Sequence, residues 1–323
     1  MADIGAREAA RLILDARRVL FFLHVSPDGD TIGSSLAVCR AARALGKEAW
    51  CVGVDPVPRI YQFLPGWTEL FRPWQELDGE WDLGVLLDCG DRSRVGPAEP
   101  LLGRCRRTLN VDHHATNGRY GDYNWLDFRA AAVGEMAYRL VVEMGAPVDP
   151  PTATCLYTAI VTDTGSFRYD STTPATHEIA ARLIEAGVLP YRVAEAVWES
   201  ETPERLRLLS ACLATLQLHA GGRVATLRVT RDMLAATGAT DEDVDGMVNF
   251  ARSIAGVEVG LLFRETGNGK VRVNLRSRGG LDVSRVAERF GGGGHPRAAG
   301  CTVEGDIAAV EAQVVAAAAE ALG

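Results

Sequence analysis

The chain has 323 residues, enough for two domains, and its 47% hydrophobic and 24% charged content is that of an ordinary globular protein. A net charge of −8 argues against a grip on long duplexes, whose affinity comes mainly from neutralised phosphates. There is no uninterrupted apolar run of about 18 residues, so no membrane span is expected, and residues 1–18 read as an amphipathic helix rather than a signal peptide. The expectation from these features is a protein that stays in the cytosol. The seven cysteines are dispersed with no Cys-x-x-Cys pair, which argues against a disulfide framework or a zinc knuckle and makes most of them buried small apolar residues.

In chain order, residues 19–23 form a short apolar run expected to be a buried strand. Residues 32–45 are apolar at helical spacing, and Gly46 is a helix stop. Strands are expected over 48–54, 83–87 and 107–111, and helices over 132–144 and from Pro150 to about 161. This alternation predicts an α/β domain with a largely parallel sheet covered by helices. Residues 175–199 are helical and charged and form a connector. A further helix runs from 203 to about 218. The style then changes. Strands over 223–229, 257–263 and 271–275, a hairpin signal at residues 267–269, a helix near 283–290 and an Ala-rich closing helix over 307–322 predict a smaller α+β domain. The expected division is a first domain over 1–186, a linker over 187–202 and a second domain over 203–323.

Four acidic or histidine clusters stand in the first domain, three of them after strand-like runs. They are His24-Val-Ser-Pro-Asp28-Gly-Asp30, Asp88-Cys-Gly-Asp91, Asp112-His113-His114 and Asp163-Thr-Gly. In open α/β sheets the carboxyl ends of strands meet at one edge, where ligands bind. The first three clusters are expected to converge there, and Asp163 is placed to join them from a helix end. Four carboxylates (Asp28, Asp30, Asp88, Asp163) gathered together repel one another unless something positive lies among them. Two divalent cations balance that charge of −4, and imidazole with carboxylate donors suits Mn²⁺, Zn²⁺ or Fe²⁺ better than an all-oxygen Mg²⁺ site. Such a metal pair clamps a phosphoryl group and activates the water that attacks it. Any one strand-end Asp is more often a turn former, and Asp91 is either a turn residue or a partner of the ligands. It is the assembly of clusters that points to chemistry. His177 and His219 lie outside them and are assigned nothing.

The second domain carries a local excess of positive charge. Between Arg264 and Arg297 there are eight basic and three acidic residues, a net +5 that leaves −13 on the remainder. Gly291 to Gly294 lead into His295-Pro-Arg297, and Asn274-Leu-Arg276-Ser277-Arg278 stands upstream. Gly293 and Gly294 let a backbone approach phosphate closely, although a glycine run is also a plain linker. Arg276 and Arg278 offer forked donors that match phosphate, against the alternative of solvated strand-edge charge. A small positive site in an acidic molecule fits a small anionic ligand.

On these residues the chain resembles the DHH phosphoesterase family with its DHH-associated C-terminal domain, Asp112-His113-His114 being the namesake motif. The likeness runs from about Val19 to Cys301. The compact length is similar to that of the oligoribonuclease and 3′-phosphoadenosine 5′-phosphate (pAp) phosphatase subgroup. The resemblance implies that His24, Asp28 and Asp88 hold one metal, and that Asp30, Asp88, His113 and Asp163 hold the other, with Asp88 bridging. His114 would contact the reacting phosphate and Asp112 would orient its neighbours. Arg276, Ser277, Arg278, Gly293, Gly294 and His295 would bind the rest of the substrate. It further implies two Mn²⁺ per subunit, with other divalent metals possible, a homodimer, and substrates that are short single-stranded RNA, dinucleotides and pAp rather than duplex. A family II inorganic pyrophosphatase is the nearest rival, weakened by the Gly291 to Gly300 loop. A cyclic di-AMP phosphodiesterase remains open. A nucleotide-binding regulator without catalysis is disfavoured by the intact ligand set.

Overall fold

The computed structural model describes every residue except Asn268, and for His295 it describes the backbone only. The chain divides into two compact units, Met1–Ser200 and Glu201–Gly323.

The first unit is a seven-stranded sheet in the order β1-β7-β6-β5-β2-β3-β4, every pair parallel. Its strands are β1 (Ala2–Asp3), β2 (Arg18–Phe22), β3 (Glu48–Gly53), β4 (Phe71–Pro73), β5 (Leu83–Leu87), β6 (Thr108–Asp112) and β7 (Tyr123–Leu126). Its helices are α1 (Ala6–Asp15), α2 (Gly29–Ala44), α3 (Trp67–Leu70), α4 (Glu99–Leu102), α5 (Val133–Glu143), α6 (Pro150–Asp163), α7 (Pro174–Glu185) and α8 (Pro190–Trp198). β2, β5 and β6 are neighbours at the centre; β5 and all of β2 after Arg18 are buried and read as apolar runs, whereas β6 is buried from Leu109 to Asp112 but carries the polar Asn110 within it. The expected single helical stretch over 175–199 is broken in two, because Gly187 takes φ +107° and Pro190 opens a new helix.

Helix α2 is buried along almost its whole length, and its contacts require small residues. A Cβ on Gly33 would collide with the carbonyl oxygen of Cys155 in α6. One on Gly134 in α5 would lie 2.8 Å from the Cβ of Ala159 and 3.1 Å from the amide nitrogen of Ile160. Three helices are thus held at backbone distance over the site described below. All seven cysteines are unpaired, and all but Cys105 are buried. No described helix is long and apolar enough to cross a membrane.

The second unit carries a six-stranded mixed sheet in the order β12-β13-β11-β10-β9-β8. The strands are β8 (Gln217–His219), β9 (Val224–Val229), β10 (Val259–Glu265), β11 (Lys270–Ser277), β12 (Gly293–His295) and β13 (Ala298–Glu304). Its helices are α9 (Pro203–Leu213), α10 (Arg231–Thr237), α11 (Val248–Arg252), α12 (Val283–Glu288) and α13 (Ile307–Leu322). The glycine run was expected to be a loop, but its end is the edge strand β12, paired antiparallel with β13. Gly294 is needed for that approach, since a Cβ there would lie 2.5 Å from the Ala298 carbonyl oxygen.

Gly134→Ala is expected to destabilise the first unit by about 1–3 kcal/mol, the usual cost of forcing a group into a filled core. Urea denaturation reads this as a lower midpoint, and an unchanged midpoint would mean that α5 and α6 do not pack this closely.

Candidate metal centre

The parallel order β6-β5-β2 puts three strand ends side by side, and each releases functional residues there. β2 leads through Leu23 to His24. β5 leads directly to Asp88. β6 ends on Asp112 and continues to His113 and His114. Asp28 caps α2, its Oδ1 accepting the N–H of Asp30 and of Thr31 at 3.1 and 3.2 Å. Asp30, in the first turn of α2, is buried. Its carboxylate accepts the N–H of Val133 at 2.7 Å and of Gly134 at 2.8 Å at the start of α5, and the hydroxyl of Ser34 at 3.1 Å. Asp163 is the last residue of α6.

Asp88 stands in the middle. Its Oδ2 lies 3.6 Å from Nε2 of His24, while its Oδ1 lies 3.7 Å from Nε2 of His113. His24 Nε2 is in turn 3.8 Å from Asp28, and His113 Nε2 is 3.6 Å from Asp163. Donor atoms of His24, Asp28 and Asp88 come within 4.8 Å of one another, and so do those of Asp30, His113 and Asp163. Asp88 Oδ1 is buried and has no hydrogen-bond partner among the described residues. A buried carboxylate oxygen without a donor is costly, and Asp88 also takes the left-handed backbone conformation, with φ +60°. A cation on that side supplies the missing partner, so the donor set fits a pair of divalent ions.

The imidazoles are held for the same task. Nδ1 of His24 is 2.8 Å from the Val25 carbonyl and Nδ1 of His113 is 3.0 Å from the Ala130 carbonyl. At His113 a proton donated from Nδ1 leaves the Nε2 lone pair toward the carboxylates, the arrangement of a metal ligand; at His24 the Val25 carbonyl calls for the same proton, while the Arg94 guanidinium, a donor only, competes for Nδ1. His114 differs. Its Nδ1 donates to Asp112 Oδ1 at 2.7 Å. A third set of donor atoms, from Asp88, His113 and His114, also gathers within 4.8 Å, but that hydrogen bond commits Nδ1 of His114 to Asp112 rather than to an ion.

Electrostatics without metal show the strain of the cluster. Burial, then the charges of Asp88, Asp163 and Asp28, push the Asp30 carboxyl well above its usual range. Its half-buried position, with Asp88 and Asp28 beside it, raises Asp163 to about 7. Burial opposes charge on His24, but Asp28 and Asp88 outweigh it and raise the imidazole to about 9. His114 is also raised to about 9 against burial, by Asp112 and Asp88.

Sequence reasoning missed several neighbours. Arg94 brings Nη2 to 2.9 Å from Nδ1 of His24. Asn110, Asn117 and Tyr120 form a polar network under Asp112. Neither β-strand periodicity nor motif spacing marks these residues, although Asn117 stands only three positions after His114. Asp91 is a turn former, its Oδ1 accepting the Ser93 N–H at 2.8 Å.

In the second unit, Arg276 is half-buried on β11 and donates to the Leu275 carbonyl at 3.0 Å, and Arg278 is exposed. Ser277 is buried with its hydroxyl on the Pro296 carbonyl at 3.1 Å. Gly293 and Gly294 lie in β12, and the side chain of His295 lies outside the described residues.

Residues 18–160 match the N-terminal domain of the DHH family, and residues 221–322 match the DHHA1 domain. The bifunctional oligoribonuclease and PAP phosphatase NrnA of Thermus thermophilus is 38% identical over 284 residues, which is 87% of this chain and 83% of that protein. The chain belongs to the DHH family. A Bacillus subtilis protein of the same description is 27% identical over 88% of this chain and 89% of its own. An exopolyphosphatase-related protein from Bacteroides fragilis shares the fold with a TM-score of 0.91 at 24% identity, covering 98% of this chain and 96% of that one. RecJ of Thermus thermophilus, solved in complex with Mn²⁺, is a more distant fold relative, with a TM-score of 0.56 at 17% identity over 98% of this chain and 55% of its own.

Metal binding to this centre must displace protons from Asp163 and His24, so affinity rises with pH. Between pH 6 and 8, Mn²⁺ affinity measured by calorimetry is expected to increase by up to about tenfold per unit for each proton displaced. Equal affinity across that window would contradict the protonated, metal-free cluster.

Proposed function

We propose that this DHH protein is a two-metal phosphoesterase that hydrolyses short oligonucleotides, dinucleotides and pAp. The carrying observation is Asp88, whose two carboxylate oxygens face separate histidines, Oδ1 having no hydrogen-bond partner among the described residues. The names of the relatives that cover most of the chain support the substrate class. His24, Asp28 and Asp88 would hold one ion and Asp30, Asp88, His113 and Asp163 the other. When bound, the ions supply Lewis-acid charge that steadies the phosphate and activates the attacking water. Mn²⁺ suits this mixture of imidazole and carboxylate donors, and the family resemblance supports a homodimer working in the cytosol.

The protein's own groups have separable tasks. Asp112 fixes the proton on Nδ1 of His114, so the imidazole presents Nε2 in one orientation to the phosphate oxygens. Asp30 is gripped by two amides at a helix start, which holds it in place while the substrate exchanges. Arg276 and Arg278, with the β12 backbone of Gly293 and Gly294 and with His295, would bind the substrate's remaining phosphate or nucleotide. Recognition of an end rather than a backbone explains a preference for short substrates in a chain of net charge −8.

With Mn²⁺, pAp and diadenylate are expected to be hydrolysed much faster than a long RNA or pyrophosphate, and a chelator is expected to abolish all turnover. Arg276→Ala removes a charged hydrogen bond to phosphate worth about 1.5–3 kcal/mol, roughly a ten- to hundredfold loss in kcat/KM on pAp or diadenylate. A small activated phosphodiester that reaches only the metals should be barely affected. Equal losses on both kinds of substrate would show that Arg276 serves the fold or the chemistry rather than recognition.

A further inference from the structure

Asp112 is fully buried, and both its oxygens are occupied. Oδ1 takes the Nδ1 proton of His114 at 2.7 Å, and Oδ2 takes an Nδ2 proton of Asn117 at 2.6 Å. The second Nδ2 proton of Asn117 goes to Oδ1 of Asn110 at 2.7 Å, and its own Oδ1 accepts the Arg119 N–H at 2.8 Å. These contacts fix the orientation of the amide. A flipped Asn117 would set its oxygen against two acceptors and its amino group against a donor. Asn110, also fully buried, donates Nδ2 to the carbonyl of Cys89 at 3.1 Å and to the hydroxyl of Tyr120 at 3.1 Å. That hydroxyl donates to the same Cys89 carbonyl at 2.6 Å. The network therefore starts at His114 and ends on the backbone beside Asp88, whose Oδ1 is 3.5 Å from His114 Nδ1.

We propose that Asn117 is a positioning residue: it locks Asp112, and through it sets the His114 imidazole against the carboxylate that bridges the two candidate metal positions. It touches neither a candidate metal ligand nor the phosphate, so it acts only through this relay. The proposal rests on the reading of His114 as the group that meets the phosphate. Removing the Asn117 amide leaves Oδ2 of Asp112 buried without a donor, and Asp112 then relaxes toward whatever donor or water it can reach.

The test is a cycle of Asn117→Ala, His114→Ala and the double variant, assayed on diadenylate with saturating Mn²⁺. Asn117→Ala is expected to lower kcat about 10- to 100-fold, the usual effect of removing a group that orients an active side chain. KM and the calorimetric Mn²⁺ affinity should stay within about threefold. In the His114→Ala background the same change should cost no more than about twofold, because the relay has lost its end point. An equal loss in both backgrounds would make Asn117 a structural residue and overturn the proposal. So would no loss in the natural background, or a parallel fall in Mn²⁺ affinity. Asn117→Ser, which leaves one donor for two acceptors, takes the place of the alanine variant if that fails to fold, with the same expectation. If the natural protein cleaves none of the substrates, the function reading fails. The proposal is then decided by nuclear magnetic resonance of the metal-free protein. The His114 Nδ1 proton is expected to give a slowly exchanging downfield signal that broadens away in Asn117→Ala, and an identical signal in both proteins would overturn it.

Discussion

Asp88 brings a negative charge to a buried strand end where Asp30 and Asp163 already compete for the same space. One of its oxygens faces His24 and the other faces His113 and His114, the latter oxygen having no hydrogen bond among the described residues. Like charges at this distance cannot all ionise in a low-dielectric setting unless cations enter, and in their absence the cluster must hold protons. Most of the first unit can be read as the scaffold that imposes this arrangement: a parallel sheet that aligns three strand ends, and helices close enough to cover them.

The scaffold grips four of the six candidate donors from outside the cluster. Asp28 caps its own helix, and Asp30 is held by the first amides of another one, 103 residues away in sequence. The imidazoles of His24 and His113 lean on backbone carbonyls. Because these supports are backbone groups in packed elements, the geometry is set before any ligand arrives. The close approach of α2, α5 and α6 through Gly33 and Gly134 belongs to the same design, since the amides that hold Asp30 sit at the start of α5.

What the sequence shows plainly is whatever has a side-chain signature. The runs that became β2 and β5 are apolar because both faces are buried, β6 is only partly so, and the acidic and histidine clusters follow all three directly, so their convergence is legible. The very short strands β1, β4 and β7 are not, because two to four residues carry no period. Nor is the grip on Asp30, since amide donors leave no trace in residue type. Asn117 is illegible for a different reason: a lone Asn after a turn has the look of a turn former, and only the fold shows that it lies under Asp112. The glycine run misleads in the opposite direction. Glycine usually signals a loop, yet here it permits β12 to lie against β13 where a side chain would collide.

The central claim is that Asp88 joins two ions. Electron paramagnetic resonance of the protein titrated with Mn²⁺ tests it most directly. The account predicts two ions bound per chain with the spectrum of an exchange-coupled pair, and in Asp88→Asn a loss of coupling together with weakened binding of both. A single ion per chain, or a coupled pair that persists in Asp88→Asn, would contradict it.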